Sequence, residues 1–146
     1  MEKNQVGLST NRIEAFSDGV FAIAVTLLIL EVKVPHLEAG STLWHGLWLL
    51  WPKLLAYAVS FGIIGIFWVG HHIMFHYIKR SDRVLLWLNT LLLMLVSAIP
   101  FAAAFVGDYL SEPVAIAFYG AVLCLSGLSF SIIWFYASKN HRLTNP

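Results

Sequence analysis

Asp18 is the residue whose surroundings raise a chemical question. It lies near the start of an apolar run from Phe16 to Leu30, next to Ser17 and about one and a half helical turns after Arg12. A charged carboxylate in the hydrocarbon of a bilayer costs about 2.5 to 3.5 kcal/mol even on the lenient insertion scale. Asp18 therefore predicts polar partners that offset this cost.

Few residues could partner Asp18 at the same depth. They come from the same segment and from two later apolar segments, and they are Arg12, His71, His72, His76 and Asn89. Such a group is typical of a buried polar network that fixes helix packing, and also of a gate or proton relay built on the same side chains. The two interpretations are compatible.

The histidines also raise the alternative of a metal-dependent membrane enzyme. His72 and His76, in "HHIMFH", stand at i and i+4 and would share one helical face, a geometry that can bind zinc or iron. No Asp or Glu lies within that segment to complete a site, and Asp82 comes only after its end. We therefore predict no metal, no other cofactor and no enzyme activity.

Composition indicates the class of protein. The chain has 146 residues, 59% hydrophobic and 12% charged, with a mean hydropathy of +0.76, whereas about a quarter of the residues in soluble domains are charged. These values predict an integral membrane protein. A net charge of +1 argues against nucleic acid as a partner, because nucleic-acid binding normally needs a clustered basic face.

Four segments are long enough to cross a bilayer core, which takes about 20 helical residues. They cover approximately residues 16–34, 47–69, 84–106 and 114–136. Each is continuously apolar, whereas the strands of a membrane barrel alternate apolar and polar residues. The expected fold is an all-α membrane protein, a bundle of four transmembrane helices in one domain over residues 1–146.

Cysteine usage and the N-terminal sequence add two expectations. The single cysteine, Cys124, offers neither a disulfide framework nor a cysteine-based metal site. The first apolar run follows a largely polar stretch and has no small-residue cleavage site after it, so we expect it to stay in the mature protein rather than act as a signal peptide.

Charged residues predict which loops are cytoplasmic. Lysine and arginine concentrate between the second and third segments and after the fourth, as Lys79, Arg80, Arg83, Lys139 and Arg142. The positive-inside rule then places both termini in the cytoplasm and the first loop outside. Tryptophans are expected near the interfaces as anchors, and these are Trp44, Trp48, Trp51 and Trp68.

The first segment has two distinct stripes when drawn as a helix. At about 100° per residue, Asp18 shares a face with Ala22, Val25 and Ile29. The second stripe is centred about 120° away and consists of Gly19, Ile23, Thr26, Leu27, Leu30 and Val34. We expect Asp18 to point into the protein and the second stripe to face a different surrounding. Taken alone, the second stripe is also typical of ordinary helix packing.

The same residues carry a resemblance to a known family. "RIEAFSD" supplies Arg12, Phe16, Ser17 and Asp18 and resembles the Arg-x-x-x-Phe-Ser-Asp signature of the transmembrane protein 175 family, the potassium-permeable channels of endolysosomes and their bacterial relatives. The apolar run that follows is similar to the family's first helix. Further on, "FWVGHHIMFHYIKRSDRVLLWLNTLLLMLVSAIPF" resembles its second and third helices. The likeness thus spans most of the chain.

The resemblance implies an architecture and a set of pore residues. First helices from several copies, four by this likeness, would surround a central pore without a potassium-channel filter loop. Ile23 would form the narrowest apolar ring, with Thr26, Leu27 and Leu30 on the same pore-facing stripe. Family members usually carry six helices per repeat, whereas four segments are predicted here.

The function implied is a leak-type, potassium-permeable cation channel in a bacterial plasma membrane. An apolar ring gates by dewetting, and an ion that holds its water less strongly passes it more easily. We therefore expect modest selectivity for potassium over sodium. The alternatives are a proton channel and a small-ion secondary transporter, although a single four-helix unit lacks the inverted repeats and broken helices of the latter class.

Overall fold

A computed structural model describes residues 10–37, 39–139 and 143–144 of the chain. Over these residues the helices are α1 Thr10–Leu30, α2 Leu43–Leu49, α3 Trp51–Tyr77, α4 Arg83–Asp108 and α5 Pro113–Ser138. All but α2 are long and apolar enough to cross a membrane. The predicted all-α membrane fold with four spanning helices is confirmed. Arg142, which contributed to the predicted topology, lies outside the described residues.

The ends of α1 differ from the apolar run that predicted the helix. The helix begins at Thr10 rather than near residue 16, so it includes polar residues that precede the apolar run. It ends at Leu30 rather than at Val34. Pro35 disfavours helical backbone at the residue before it, and the chain leaves α1 through a turn in which the amide of Val32 bonds to the carbonyl of Ile29.

The second predicted segment is two helices. The short α2 begins after Thr42, whose hydroxyl caps it by accepting a hydrogen bond from the amide of His45. Pro52 stands in the first turn of α3, where a missing amide proton costs little. α3 then continues to Tyr77, past the predicted end near residue 69, so that all three histidines of "HHIMFH" are helical.

α4 is the centre of the bundle. It packs against α1, α3 and α5, and it has the largest buried share of the spanning helices. Small residues let neighbours approach closely, as at Gly107, where an added Cβ would lie 3.3 Å from Cα of Lys53. The helix continues through Pro100 without interruption. α4 therefore supplies the surface against which α1 is positioned.

The end of the bundle where α3 stops and α4 starts is closed by a short C-terminal segment. The carbonyl of Leu143 accepts hydrogen bonds from the amides of Lys79 and Arg80, and its side chain is buried. Asp82 caps α4 through the amide of Leu85 and accepts a 2.6 Å hydrogen bond from the hydroxyl of Tyr136 on α5. These contacts fix the loop between α3 and α4 against the C-terminal segment and α5.

Candidate functional site

One face of α1 is held inside the bundle. Its buried side chains recur at helical spacing and contact α3 and α4; they are Ile13, Ser17, Phe21, Ala24 and Leu28. Ser17 is the polar member of this face and is fully buried. The inward-facing residue of the signature is therefore Ser17 rather than Asp18.

A buried chain of hydrogen bonds joins Ser17 to two other helices. The Ser17 hydroxyl donates to the carbonyl of Ile13 at 2.8 Å and accepts from the amide nitrogen of Asn89 on α4 at 3.0 Å. The amide oxygen of Asn89 lies 2.8 Å from Nε2 of His71 on α3. Because an amide oxygen only accepts hydrogen bonds, Nε2 of His71 is the donor. One side chain from each of α1, α3 and α4 thus forms a continuous network.

Aromatic rings enclose the histidine of this network. The ring of Phe75 stacks on His71 with 4.4 Å between centroids, and Phe21 of α1 meets it edge-on at 5.6 Å. Both phenylalanines are buried. In such surroundings a polar group left without a partner costs about 1 to 3 kcal/mol. The network therefore fixes α1 against α3 and α4.

Asp18 has a different partner from those expected. Its side chain is exposed on the single chain, and one carboxylate oxygen accepts a 2.8 Å hydrogen bond from the indole nitrogen of Trp68 on α3. No ion pair joins it to Arg12 within the described part of the chain, and Asn89 bonds to Ser17 instead. Asp18 misses the buried partners because it points about 100° away from its neighbour Ser17, which faces them. Trp68 was expected only as an interface anchor. Its indole N–H, which usually finds a hydrogen-bond partner when buried, was the sequence feature that could have indicated a bond to Asp18.

The remaining signature residues and histidines lie on the surface of the chain. Arg12 is exposed, and Phe16 is 64% exposed. His72 stacks on the ring of Trp68, and His76 meets the ring of Tyr77. Of the three histidines, only His71 enters the buried network.

The second stripe of α1 is exposed along its length. Ile23 is 60% exposed and Leu30 is 68% exposed, and Leu27 and Thr26 lie on the same side. No charged residue interrupts this stretch of α1. The chain therefore presents an apolar stripe with one hydroxyl, which its own helices leave uncovered.

The hydroxyl of Thr26 has a defined role within the helix. It lies 2.9 Å from the carbonyl oxygen of Ile23 and 3.0 Å from that of Ala22, so it donates its proton back to the backbone. A hydroxyl oxygen keeps acceptor capacity when its proton is engaged. At this exposed position the oxygen can meet a cation or water.

A groove between α1 and α3 runs along the third face of α1. It has a volume of about 500 Å³ and is open on one side. Its walls are apolar except for the Asp18–Trp68 hydrogen bond, and they consist of Asp18, Phe21, Ala22, Val25, Phe61, Gly65 and Trp68. The three faces of α1 thus have three surroundings: the bundle core, this groove and the exposed stripe.

Comparison with known proteins gives a consistent result. The family model described as the endosomal/lysosomal potassium channel TMEM175 matches residues 12–100. A potassium channel from Streptomyces collinus is 47% identical over 141 residues, which cover 94% of this chain and 68% of that protein. The human endosomal/lysosomal proton channel TMEM175 is 37% identical over 114 residues, covering 73% of this chain and 23% of that protein.

Solved structures agree with the sequence matches. The crystal structure of a lysosomal potassium-selective channel TMEM175 homolog from Chamaesiphon minutus superposes with a TM-score of 0.85 at 43% sequence identity, over 90% of this chain and 73% of that one. A potassium channel MtTMEM175 variant gives a TM-score of 0.64 at 26% identity, over 94% and 68%. The chain described here spans about two thirds of the length of these bacterial relatives and less than a quarter of the human one.

Proposed function

This chain belongs to the TMEM175 family, and we propose that it is a potassium-permeable, leak-type cation channel whose narrowest point lies on α1. The family is one of ion channels, not of enzymes. The observation that carries the proposal is the uncharged stripe of Ile23, Thr26, Leu27 and Leu30, which is exposed on α1 while the opposite side of that helix is fixed in the bundle.

The proposed pore lies on an axis shared by several copies of the chain. One copy has too few spanning helices to enclose an ion path and also a packed core, so copies must surround the path with closed cyclic symmetry. The exposed stripe would face this axis, and the adjoining groove between α1 and α3 is a surface that a neighbouring copy would cover. We propose four copies, the number implied by the family resemblance that Arg12, Phe16, Ser17 and Asp18 carry.

Selectivity would come from the cost of losing water. A ring of Ile23 side chains has no polar atoms to replace the hydration of an ion, so a weakly hydrated cation passes it more easily than a strongly hydrated one. The Thr26 oxygen, one turn along, supplies an acceptor that replaces part of the lost water. This arrangement favours potassium over sodium modestly.

The proposed setting is a bacterial plasma membrane with both termini in the cytoplasm. The lysines and arginines of the loop between α3 and α4 support this orientation. The relatives from Streptomyces collinus and Chamaesiphon minutus support the bacterial membrane.

A proton channel is the second candidate. The observation in its favour is that the human, bovine and chicken relatives carry the name of proton channels. Protons can cross an apolar constriction along a transient file of water, so the same stripe would serve both functions.

Ion flux into liposomes tests both proposals. The purified chain is reconstituted and given a potassium, sodium or proton gradient in turn, with empty liposomes as the control. Potassium flux above sodium flux supports the first proposal, and proton flux without potassium flux supports the second. A reconstituted, monodisperse oligomer that carries none of the three ions would contradict both.

A further inference from the structure

Positive charge collects at the end of the bundle where α3 stops and α4 starts. The exposed side chains that carry it are Lys79, Arg80, Arg83 and Lys139. None of them forms an ion pair within the described residues. Asp82, the acid of the loop between α3 and α4, caps α4 and accepts a hydrogen bond from Tyr136. These cations are therefore available to an external anion.

Backbone hydrogen bonds bring three of these cations to the same place. The carbonyl of Leu143 accepts hydrogen bonds from the amides of Lys79 and Arg80. The amide of Leu143 donates to the carbonyl of Ala137 in the last turn of α5, and Lys139 follows two residues later. The loop after α3 and the end of α5 are thus joined through one residue. We call Lys79, Arg80 and Lys139 the basic cluster.

The depth of the basic cluster follows from the lengths of the helices that end beside it. α3 has 27 residues and α5 has 26, and both are long and apolar enough to span a membrane. At about 1.5 Å per residue each is about 40 Å long, which exceeds the hydrocarbon core of about 30 Å and is close to the thickness of a bilayer with its headgroups. The basic cluster follows the last residues of both helices and therefore lies at headgroup level.

Exposed aromatic rings stand next to the basic cluster. Tyr77, the last residue of α3, contacts Trp134 of α5 with 6.3 Å between ring centroids. Nζ of Lys139 lies 5.7 Å from the centre of the Phe135 ring. All three rings are exposed on the chain. Cations beside exposed aromatic rings, at the end of apolar helices, offer one surface to a charged headgroup and another to acyl chains.

We propose that the basic cluster binds the headgroup of an anionic phospholipid, whose acyl chains lie along the exposed rings of Tyr77 and Trp134. The phosphate of phosphatidylglycerol carries an uncompensated charge that these side chains attract, and Arg80 can bond two of its oxygens at once. The headgroup of phosphatidylcholine also carries a choline cation, which they repel. The proposal depends neither on the ion conducted nor on the side of the membrane that this end faces.

Electron paramagnetic resonance of spin-labelled lipids tests the site. The purified chain is reconstituted in phosphatidylcholine with a trace of spin-labelled phosphatidylglycerol or, in parallel, of spin-labelled phosphatidylcholine, and the motionally restricted fraction of each label is measured. A Lys or Arg near an anionic surface gains about fivefold in association. We therefore expect several-fold preference for phosphatidylglycerol in the parent and almost none in the Lys79→Gln, Arg80→Gln, Lys139→Gln triple variant.

A single substitution supplies a matched comparison that does not need the triple variant to fold. Lys139→Gln should lower the preference for phosphatidylglycerol. Lys33→Gln should not, because it removes an exposed lysine beyond the end of α1, at the opposite end of the bundle. An unchanged thermal midpoint in detergent would show that both variants keep the fold.

Four outcomes would overturn the proposal. Equal restriction of the two lipids by the parent would mean that no anionic lipid is selected, and a preference that survives in the folded triple variant would place the site elsewhere. Equal loss in Lys139→Gln and Lys33→Gln would assign the preference to total charge. Loss of the preference in millimolar inorganic phosphate, at constant ionic strength, would make the basic cluster a site for free phosphate rather than for lipid.

Discussion

Two sides of α1 differ in a way that separates the part of this helix packed in the bundle from the part proposed to line the pore. The inner side carries the hydroxyl of Ser17 and meets the amide of Asn89 and the imidazole of His71. The exposed side carries Ile23, Leu27 and Leu30, with Thr26 as its single hydroxyl. Both sides are largely apolar, but the inner hydroxyl bonds to another helix whereas that of Thr26 bonds only within α1.

The apolar character of both sides follows from the surrounding hydrocarbon. Hydrocarbon gives helices no reason to hide apolar side chains, so the inner side is fixed by packing and interhelical hydrogen bonds. Apolar residues on the outer side are free to face lipid, another copy or a pore. Changes on the inner side should therefore alter assembly, and changes on the outer side should alter ion flux at unchanged assembly.

The largest effect is expected from Asn89→Leu. The change leaves Nε2 of His71 without an acceptor and removes the hydrogen bond to Ser17, at a cost of about 2 to 4 kcal/mol. We expect a lower thermal midpoint in detergent and loss of a monodisperse peak in size-exclusion chromatography.

Thr90→Val is the matched control for Asn89→Leu. Thr90 is the next residue on α4, is exposed, and uses its hydroxyl only within its own helix, on the carbonyl of Leu86. Equal stability of the two variants would show that the network does not hold α1 in place.

The second effect should appear in flux. Ile23→Asn wets the proposed constriction and should raise potassium flux about tenfold, which corresponds to about 1.4 kcal/mol on the barrier. Ile23→Phe should lower it. Ile29→Phe is the control for the second variant, because Ile29 is also half exposed but points to another side of α1. Flux that responds equally to Ile23→Phe and Ile29→Phe would remove Ile23 from the narrowest point.

Trp68→Phe tests the role of Asp18, which lies on the groove side of α1, between the inner side and the exposed stripe. The ring remains but its donor to Asp18 is lost, one hydrogen bond of about 0.5 to 1.5 kcal/mol. We expect a small fall in thermal midpoint and unchanged potassium selectivity. Trp87→Phe, at an exposed tryptophan of α4, should change neither. A selectivity change in Trp68→Phe alone would mean that Asp18 acts on the ion path.

Sequence predicted the fold well because the bilayer constrains it strongly. The length and apolar composition of a spanning helix are fixed by the thickness of the hydrocarbon, so all four spans were found. α2 was missed because its leucines and tryptophans continue into α3 without a polar break. Thr42 as a cap and Pro52 in the first turn of α3 were the local signals that divide them.

The site was predicted less completely, for a physical reason. Periodicity placed Ile23 and Asp18 on different sides of α1. In the structure, Ile23 lies on the exposed stripe and Asp18 lines the groove. It could not tell which side faces the core, because core and lipid surroundings are equally apolar. Ser17, Asn89 and His71 were therefore named together, but around Asp18, whose partner is Trp68. The pore-lining role of the exposed stripe stays a prediction.

The smallest expected effect concerns the single hydroxyl of the exposed side. Thr26→Val keeps the shape of the side chain but removes the acceptor oxygen, so the ion loses one replacement for its water while the apolar ring stays intact. We expect the ratio of potassium to sodium flux to fall about twofold, a change of roughly 0.4 kcal/mol, with no change in thermal midpoint. Thr90→Val is again the control, because the Thr90 hydroxyl also donates to a backbone carbonyl one turn earlier but lies on α4, away from the exposed stripe of α1. An unchanged ratio in Thr26→Val, measured beside an Ile23→Asn variant that does alter flux, would leave dewetting at Ile23 as the sole source of selectivity.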